Sequence, residues 1–180
     1  MKVEDKETRH ILICGERGVG KTTLVRRLLE TCTVPVYGFM TKAEPRDEHG
    51  CFSFYIHPAG HTEREYTDRN RIGYGNESGR QIWLEAFEGY GISCLEAQSG
   101  GIIVMDEIGF METAAHRFCE KILETLDGDI PVLATVKARG DVDFLNRIRS
   151  HPNADLYVIM EENRDELYHK LLPLIRQWNN

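Results

Sequence analysis

The sequence lacks any apolar run near the roughly eighteen residues that a membrane-spanning helix needs, and its first ten residues are charged rather than apolar. It therefore predicts neither a membrane protein nor a signal peptide. Its five cysteines are scattered, odd in number and without a C-x-x-C pair. This pattern disfavours a disulfide framework and a zinc site, so we expect free thiols and a cytoplasmic location.

Basic residues are also in deficit, with 22 Lys and Arg against 29 Asp and Glu and a formal net charge of −7. Proteins bind nucleic acid largely by neutralising its phosphates with basic side chains, so nucleic acid is not an expected partner. The length of 180 residues suits a single domain spanning residues 1–180, and we favour a monomer.

Short, β-branched apolar runs alternate with helical patterns along the chain. Runs such as Ile102-Ile103-Val104-Met105 are typical of strands buried on both faces of a parallel sheet. Strands that alternate with helices place helices on both faces of that sheet. The sequence therefore predicts a three-layer α/β fold with a mostly parallel central sheet. The predicted strands are residues 10–14, 36–41, 51–56, 102–106, 132–136 and 156–160, and the predicted helices are residues 21–31, 80–88, 114–126, 142–149 and 165–178.

The middle of the chain breaks this alternation. Residues 42–50 are rich in Pro, Asp, Glu, His and Gly and leave no room for a helix, which predicts an inserted β-hairpin. Residues 57–79 are polar and without periodicity, so we expect an extended segment or loop at the surface. Four arginines of this region predict either a phosphate-facing lid or a solvated charged surface: Arg64, Arg69, Arg71 and Arg80.

One motif carries a specific chemistry: Gly15-Glu16-Arg17-Gly18-Val19-Gly20-Lys21-Thr22 satisfies G-x-x-x-x-G-K-[ST], the phosphate-binding P-loop. Its glycines let backbone N–H groups point at phosphate oxygens, and the following helix adds the positive end of its dipole. An apolar strand precedes it and a helical pattern follows it, as such a loop requires. Lys21 is predicted to reach the β- and γ-phosphates, Thr22 to ligate Mg²⁺ and Thr23 to contact the α-phosphate. The motif thus predicts a nucleoside triphosphate such as ATP or GTP as substrate.

Two carboxylates, Asp106 and Glu107, end the apolar strand at residues 102–106. The carboxyl ends of strands in an open α/β sheet face the ligand crevice. Asp106 is therefore predicted to hold Mg²⁺ opposite Thr22, and Glu107 to orient and polarise the attacking water. The alternative is a strand that simply ends in solvated acids. The P-loop upstream favours the functional pair.

Further candidates follow the last two predicted strands. Thr135 is either a γ-phosphate sensor or an ordinary strand threonine. Arg139 is predicted to stabilise charge on the transferred phosphoryl group, the alternative being a solvated loop. Asn163 and Arg164 lie where the base is expected, although Asn163 also suits a helix N-cap. The sequence Asn163-Arg164-Asp165 is not the N-K-x-D of guanine-specific GTPases.

Several of these segments together resemble the family of the thermophilic nucleoside-triphosphatases and the human cancer-related nucleoside-triphosphatase. The resemblance implies a RecA-like domain that hydrolyses ATP, GTP and other nucleoside triphosphates, with its roles carried over to Lys21, Thr22, Asp106 and Glu107. Phe110 departs from the family's usual lysine, and Lys137 from a common histidine. The segments that carry the resemblance are residues 15–23, Gly38-Phe39-Met40-Thr41, Asp106-Glu107-Ile108-Gly109 with Met111-Glu112, Leu133-Ala134-Thr135-Val136 and Asn163-Arg164-Asp165.

We expect an Mg²⁺-dependent nucleoside-triphosphate phosphohydrolase with broad base specificity, because the predicted binding groups face the phosphates and the metal. One alternative is a nucleotide or small-molecule kinase of the same fold, with Glu107 as the base for an acceptor hydroxyl. A second is a nucleotide-gated switch or assembly factor with slow hydrolysis, marked by an exposed apolar patch.

Overall fold

The computed structural model describes residues 10–179. The prediction that no signal peptide is present concerns residues that lie almost entirely outside this range. The strands are β1 (His10–Gly15), β2 (Val36–Ala43), β3 (Phe52–Pro58), β4 (Arg71–Asn76), β5 (Gly79–Ile82), β6 (Ile102–Ile108), β7 (Val132–Lys137) and β8 (Ala154–Val158). The α-helices are α1 (Lys21–Leu29), α2 (Leu84–Ala86), α3 (Ile92–Cys94), α4 (His116–Asp127), α5 (Asp143–Arg149) and α6 (Arg164–Gln177).

All eight strands form one sheet in the order β5-β4-β3-β2-β6-β7-β1-β8. The strands from β2 to β8 in that order pair in parallel. On the other side of β2, the strands β3, β4 and β5 pair antiparallel, and we call these three strands the antiparallel wing. The predicted α/β class with a mostly parallel sheet is confirmed.

Helices cover both faces of the sheet, and the side chains of β1 show why its apolar run is continuous. Ile11 and Ile13 pack in one buried cluster with residues of α1 and α6. Leu12, which points to the opposite face, packs in a second cluster with residues of α4 and α5. Alternate residues of a strand point to opposite faces, so a strand between two helical layers is apolar at every position. The predicted three layers are confirmed.

The antiparallel wing corrects two predictions. The predicted loop at residues 57–79 contains β4, and the predicted helix at residues 80–88 is wrong at its start, because Gly79–Ile82 is strand β5. Helical structure begins only at Leu84 and continues through a π-helical turn at Phe87–Gly91 into α3. Strands β4 and β5 contain glycines and carry no alternating apolar pattern, so their strand conformation depends on pairing with β3 and with each other rather than on local propensity.

Strand β8 lies two residues earlier than predicted and forms the edge of the sheet. It pairs with β1 from His10↔Ala154 to Cys14↔Val158. The apolar residues that suggested a buried strand are partly solvent-accessible, with Leu156 40% and Val158 54% exposed. The apolar residues therefore predicted the presence of this strand correctly, but the predicted ends were wrong by two residues.

All five cysteines lie within the described residues and are free thiols. Burial raises the pKa of Cys94 to about 11. Burial, together with the nearby Glu112 and Glu88, raises the pKa of Cys119 to about 12. Both thiols are therefore protonated near neutral pH. Within residues 10–179, no helix combines the length and apolar character needed to cross a bilayer.

Candidate active site

The predicted P-loop joins the end of β1 to the start of α1, with Gly15 and Lys21 as the flanking residues. Gly18 and Gly20 have φ angles of +80° and +103°, which side-chain-bearing residues rarely adopt. A Cβ added at Gly15 would lie 2.6 Å from the carbonyl oxygen of Ile159. The three motif glycines are thus required by backbone conformation or by close packing.

Lys21 is buried, and its ammonium group contacts both the P-loop and the acidic end of β6. Its Nζ donates hydrogen bonds to the carbonyl oxygens of Gly15, at 2.8 Å, and Glu16, at 2.9 Å. The same Nζ lies 3.1 Å from Oε2 of Glu107, at the end of β6. The P-loop and the acidic strand end are therefore joined through one lysine.

Asp106 is the buried carboxylate between the P-loop and β7. Its Oδ1 accepts hydrogen bonds from the hydroxyls of Thr22, at 3.2 Å, and Thr135, at 2.6 Å. Thr135 can reach it because β7 lies between β1 and β6 in the sheet. Burial raises the pKa of Asp106, and the charge of Glu107 adds to that rise, while the two hydroxyls oppose it. The predicted residues Thr22, Thr135 and Asp106 are thus brought together.

Glu107 is 26% exposed and sits between two lysines, with Oε2 3.1 Å from Lys21 and Oε1 3.4 Å from Lys137. It is the carboxylate of the pair that faces open space, whereas Asp106 is enclosed. Glu107 can therefore contact a water molecule or a ligand that enters from solvent. Asp106 can contact only a group held inside the site.

Phe110 organises the cations beyond Glu107. The Nζ of Lys137 and the guanidinium of Arg139 each lie 4.9 Å from the centre of its ring, within the range of cation–π attraction. Arg139 also forms a two-contact pair with Asp141, at 3.0 and 2.5 Å. Arg149 donates to the carbonyl oxygens of Lys137 and Arg139, which fixes this segment of backbone.

Glu112 belongs to the site's support, and its role was not predicted from the sequence. It is fully buried, and its Oε1 accepts a 2.6 Å hydrogen bond from the backbone N–H of Gly109. This bond closes the turn that follows β6 and carries Phe110. Burial raises the pKa of Glu112 above its ordinary value. In the sequence, Glu112 stood out only as part of a segment that carries the family resemblance.

Glu112→Gln is expected to change how stability depends on pH while keeping the bond to Gly109. The raised pKa means that folded protein holds the Glu112 proton more tightly than unfolded protein does. Its stabilising contribution is complete below the unfolded pKa and is lost as pH rises through the folded pKa. In urea titrations, the wild-type unfolding free energy should therefore fall relative to that of Glu112→Gln as pH rises above the ordinary glutamate pKa of about 4.3. A difference that stays constant with pH would contradict this.

Arg164 and Thr23 lie beside the P-loop on its other side. They line a cavity of about 220 Å³ together with Gly18 and Gly20. The Nε of Arg164 donates to the carbonyl oxygen of Val19 at 2.7 Å. Asn163 does not line this cavity, because its side chain accepts the N–H of Met160 and donates to the carbonyl of Val158.

A larger cavity, of about 420 Å³, runs from the P-loop past Glu107 towards the antiparallel wing. Of the four arginines considered as a lid, only Arg80 lines it. Arg64 contacts the sulfur of Met40, Arg69 lies over Tyr90, and Arg71 pairs with Asp68. Arg17, Lys137 and Arg139 also line this cavity.

Comparison with known proteins places this geometry in context. Residues 10–172 match the model of a family described as NTPase. The chain is 30% identical to nucleoside-triphosphatase THEP1 of Thermotoga petrophila, over 92% of each chain. It is 27% identical to the human cancer-related nucleoside-triphosphatase, over 88% of this chain and 92% of the relative.

A solved structure agrees with these relatives. The crystal structure of THEP1 from Aquifex aeolicus is similar with a TM-score of 0.71 and 27% identity, over 92% of this chain and 98% of that one. The family match, the relatives and the shared fold cover nearly the whole described chain, and the chain therefore belongs to the NTPase family.

Proposed function

We propose that this protein is an Mg²⁺-dependent nucleoside-triphosphate phosphohydrolase that cleaves the bond to the γ-phosphoryl group with water. One observation carries the proposal. Lys21 of the P-loop and Glu107 of β6 are in contact at 3.1 Å, while Thr22 and Asp106 are hydrogen-bonded beside them. Phosphate-binding and water-activating groups thereby meet at one point, as phosphoryl transfer to water requires.

Each residue has a separate role in this proposal. Lys21 and the N–H groups of the P-loop hold the β- and γ-phosphates and offset their charge. Glu107 orients the attacking water and takes its proton. Thr135 fixes the Asp106 carboxylate through the 2.6 Å hydrogen bond. Thr23 contacts the α-phosphate, and Arg164, which lines the cavity beside the P-loop, lies towards the base.

The donor set fits Mg²⁺. Thr22 Oγ1 and Asp106 Oδ1 are hard oxygen donors 3.2 Å apart, and Mg²⁺ in such sites takes one or two protein oxygens plus phosphates and waters. When bound, the ion would neutralise charge that develops on the β- and γ-phosphate oxygens. Among residues 10–179 no cluster of three or more His, Cys, Asp or Glu offers another metal site.

Measuring both products tests the proposal. Full-length protein with Mg²⁺ and ATP or GTP should release inorganic phosphate and nucleoside diphosphate in equal amounts, and excess EDTA should stop the release. Pyrophosphate with a monophosphate as products, or no release above that of buffer, would refute it.

We place this activity in the cytoplasm, on a single-domain monomer. The free thiols of all five cysteines support a reducing compartment.

Broad base specificity is expected because the charged groups of the site face the phosphates. The side chain of Asn163 is hydrogen-bonded to the backbone of Met160 and Val158. Few side chains therefore remain to form hydrogen bonds with the edge of a base. Values of kcat/KM for ATP, GTP, CTP and UTP should lie within about a thousandfold, which corresponds to roughly 4 kcal/mol. A larger preference for one base would contradict this expectation.

Arg139→Ala is expected to lower the rate of cleavage by about tenfold or more, because a cation near the transferred group stabilises its developing charge. Nucleotide affinity should change little, since Arg139 lies beyond Glu107 rather than in the P-loop. Single-turnover cleavage at several protein concentrations measures the effect, and specific activity that falls on dilution would show that the arginine acts across subunits. Arg147→Ala, at an exposed position on α5, is the control. Equal rates for wild type and Arg139→Ala at all concentrations would leave Arg139 a surface residue.

A further inference from the structure

The larger cavity has two chemically different ends. One end is formed by Gly15, Lys21 and Glu107, the groups assigned above to the phosphates and the attacking water. The other is formed by Phe54 of β3 and Arg80 of β5, in the antiparallel wing. The wing therefore builds a wall of the same space into which Glu107 faces.

The volume of this cavity exceeds what hydrolysis needs. An attacking water takes up about 30 Å³, whereas the cavity measures about 420 Å³. Pockets for small organic ligands range from about 300 to 1,000 Å³. The cavity therefore has the size of a ligand site, and it extends beyond the P-loop to Phe54 and Arg80 of the wing.

The far end carries positive charge without a protein counter-ion. Within residues 10–179, neither Lys42 nor Arg80 has a carboxylate within salt-bridge distance. Arg71 and Arg139, by contrast, each have an aspartate partner. Two cations without a carboxylate partner at one end of a cavity, in a chain with a net charge of −7, are suited to an anionic ligand.

The walls between the two ends are apolar and aromatic. Phe54 lines the cavity and is 8% exposed, and the guanidinium of Arg80 lies 5.3 Å from its ring centre. Phe110 and Met111 line the opposite part. A flat ring can stack on such surfaces and keep contact with the flanking cations.

We infer that this cavity binds a second substrate, a hydroxyl-bearing organic phosphate with a planar ring such as a nucleoside monophosphate, which accepts the γ-phosphoryl group in place of water. The inference rests on the proposed function, because it uses the same triphosphate site and the same Glu107. The phosphate of the acceptor pairs with Lys42 and Arg80, its ring stacks between Phe54 and Phe110, and its hydroxyl faces Glu107.

The transfer step balances without any further reactant. The acceptor oxygen forms a bond to the γ-phosphorus while the bond from that phosphorus to the bridging oxygen breaks. The hydroxyl proton passes to the Glu107 carboxylate, and the nucleoside diphosphate leaves with the bonding electron pair. Water and the acceptor therefore compete for one phosphoryl group, and the ratio of the two products reports occupancy of the second site.

The test is a partition experiment with γ-³²P-labelled GTP, Mg²⁺ and AMP. Label should appear on a ribose hydroxyl of AMP as well as in free phosphate. Adenosine, which lacks the phosphate, and ribose 5-phosphate, which lacks the ring, should each take up at least about tenfold less label. Arg80→Gln should lower the ratio of labelled AMP to free phosphate at least tenfold, and calorimetry should show weaker AMP binding. Arg46→Gln is the matched control, since Arg46 lies in the β2–β3 connection, bonds to Gly50 and does not line the cavity.

The outcomes separate the two proposals. If free phosphate is released but no label reaches AMP, the second-substrate site is refuted while the hydrolase stands. Label on the phosphate of AMP, or transfer that is equal in Arg80→Gln and wild type, also refutes the site as described. If neither free phosphate nor labelled AMP appears, the proposed function itself fails.

Discussion

Lys21→Ala is expected to reduce triphosphate affinity and turnover almost to background while the fold survives. The ammonium group of Lys21 is the cation at the junction of the P-loop and Glu107, and among residues 10–179 its hydrogen bonds go to backbone carbonyls at the loop, beside its ion pair with Glu107. Removing it leaves the two apolar clusters untouched. The loss should reach at least about a thousandfold in kcat/KM, within the range for removing a group that stabilises transition-state charge.

Circular dichroism measures whether Lys21→Ala is folded, and nucleotide titration measures its triphosphate affinity. Lys121→Ala is a suitable control, because Lys121 lies on α4 and pairs with Glu124 at a surface position. It should match wild type in both assays. A folded Lys21→Ala protein that binds and hydrolyses ATP normally would remove the P-loop assignment.

Glu107→Gln is expected to keep Mg-ATP binding but to lower turnover by at least about a hundredfold, the usual scale for removing a catalytic base. The amide preserves the size of the side chain but can neither take a proton nor balance Lys21 and Lys137. Steady-state release of phosphate and equilibrium binding of ATP give the two quantities.

Asp106→Asn should behave differently from Glu107→Gln. Asp106 is enclosed by Thr22 and Thr135, so its loss should raise the Mg²⁺ concentration needed for half-maximal activity. Glu124→Gln, at an exposed position on α4, serves as the control for both changes. Identical effects of the two substitutions on binding, Mg²⁺ requirement and rate would show that the division of roles is wrong.

The parallel part of the sheet and the P-loop could be predicted from the sequence because their signals are local. The strand at residues 102–106 is apolar at every position, and the loop has fixed spacing and backbone demands. The wing strand β3 could be predicted, but β4 and β5 could not, because Gly73 and Gly75 interrupt β4 and the conformation of both strands depends on pairing within the sheet. The predicted helix at residues 80–88 was correct in its later part but wrong at its start, since Trp83 precedes the first turn.

Some residues of the candidate site could likewise be predicted from local sequence, whereas others depend on the tertiary structure. Lys21, Asp106 and Glu107 were predicted from the motif and from the strand end, and the structure places their side chains close together. The contact of Thr135 with Asp106 depends on β7 lying between β1 and β6, an order that strand patterns alone do not encode. Arg80 reaches the larger cavity only because the wing borders it, so its difference from Arg64, Arg69 and Arg71 is a property of tertiary structure.

The position of β7 between β1 and β6 also sets when the site can form during synthesis. Thr22 and Asp106 are 84 positions apart, and Thr135 follows Asp106 by a further 29. A nascent chain that ends with α4 already contains both the P-loop and the acidic pair, but it lacks the strand that joins β1 to β6. Nucleotide stabilises only the state that binds it, so it cannot assist folding until β7 has left the ribosome. Protection of ribosome-bound fragments by nucleotide should accordingly begin only after residue 137 has emerged from the exit tunnel.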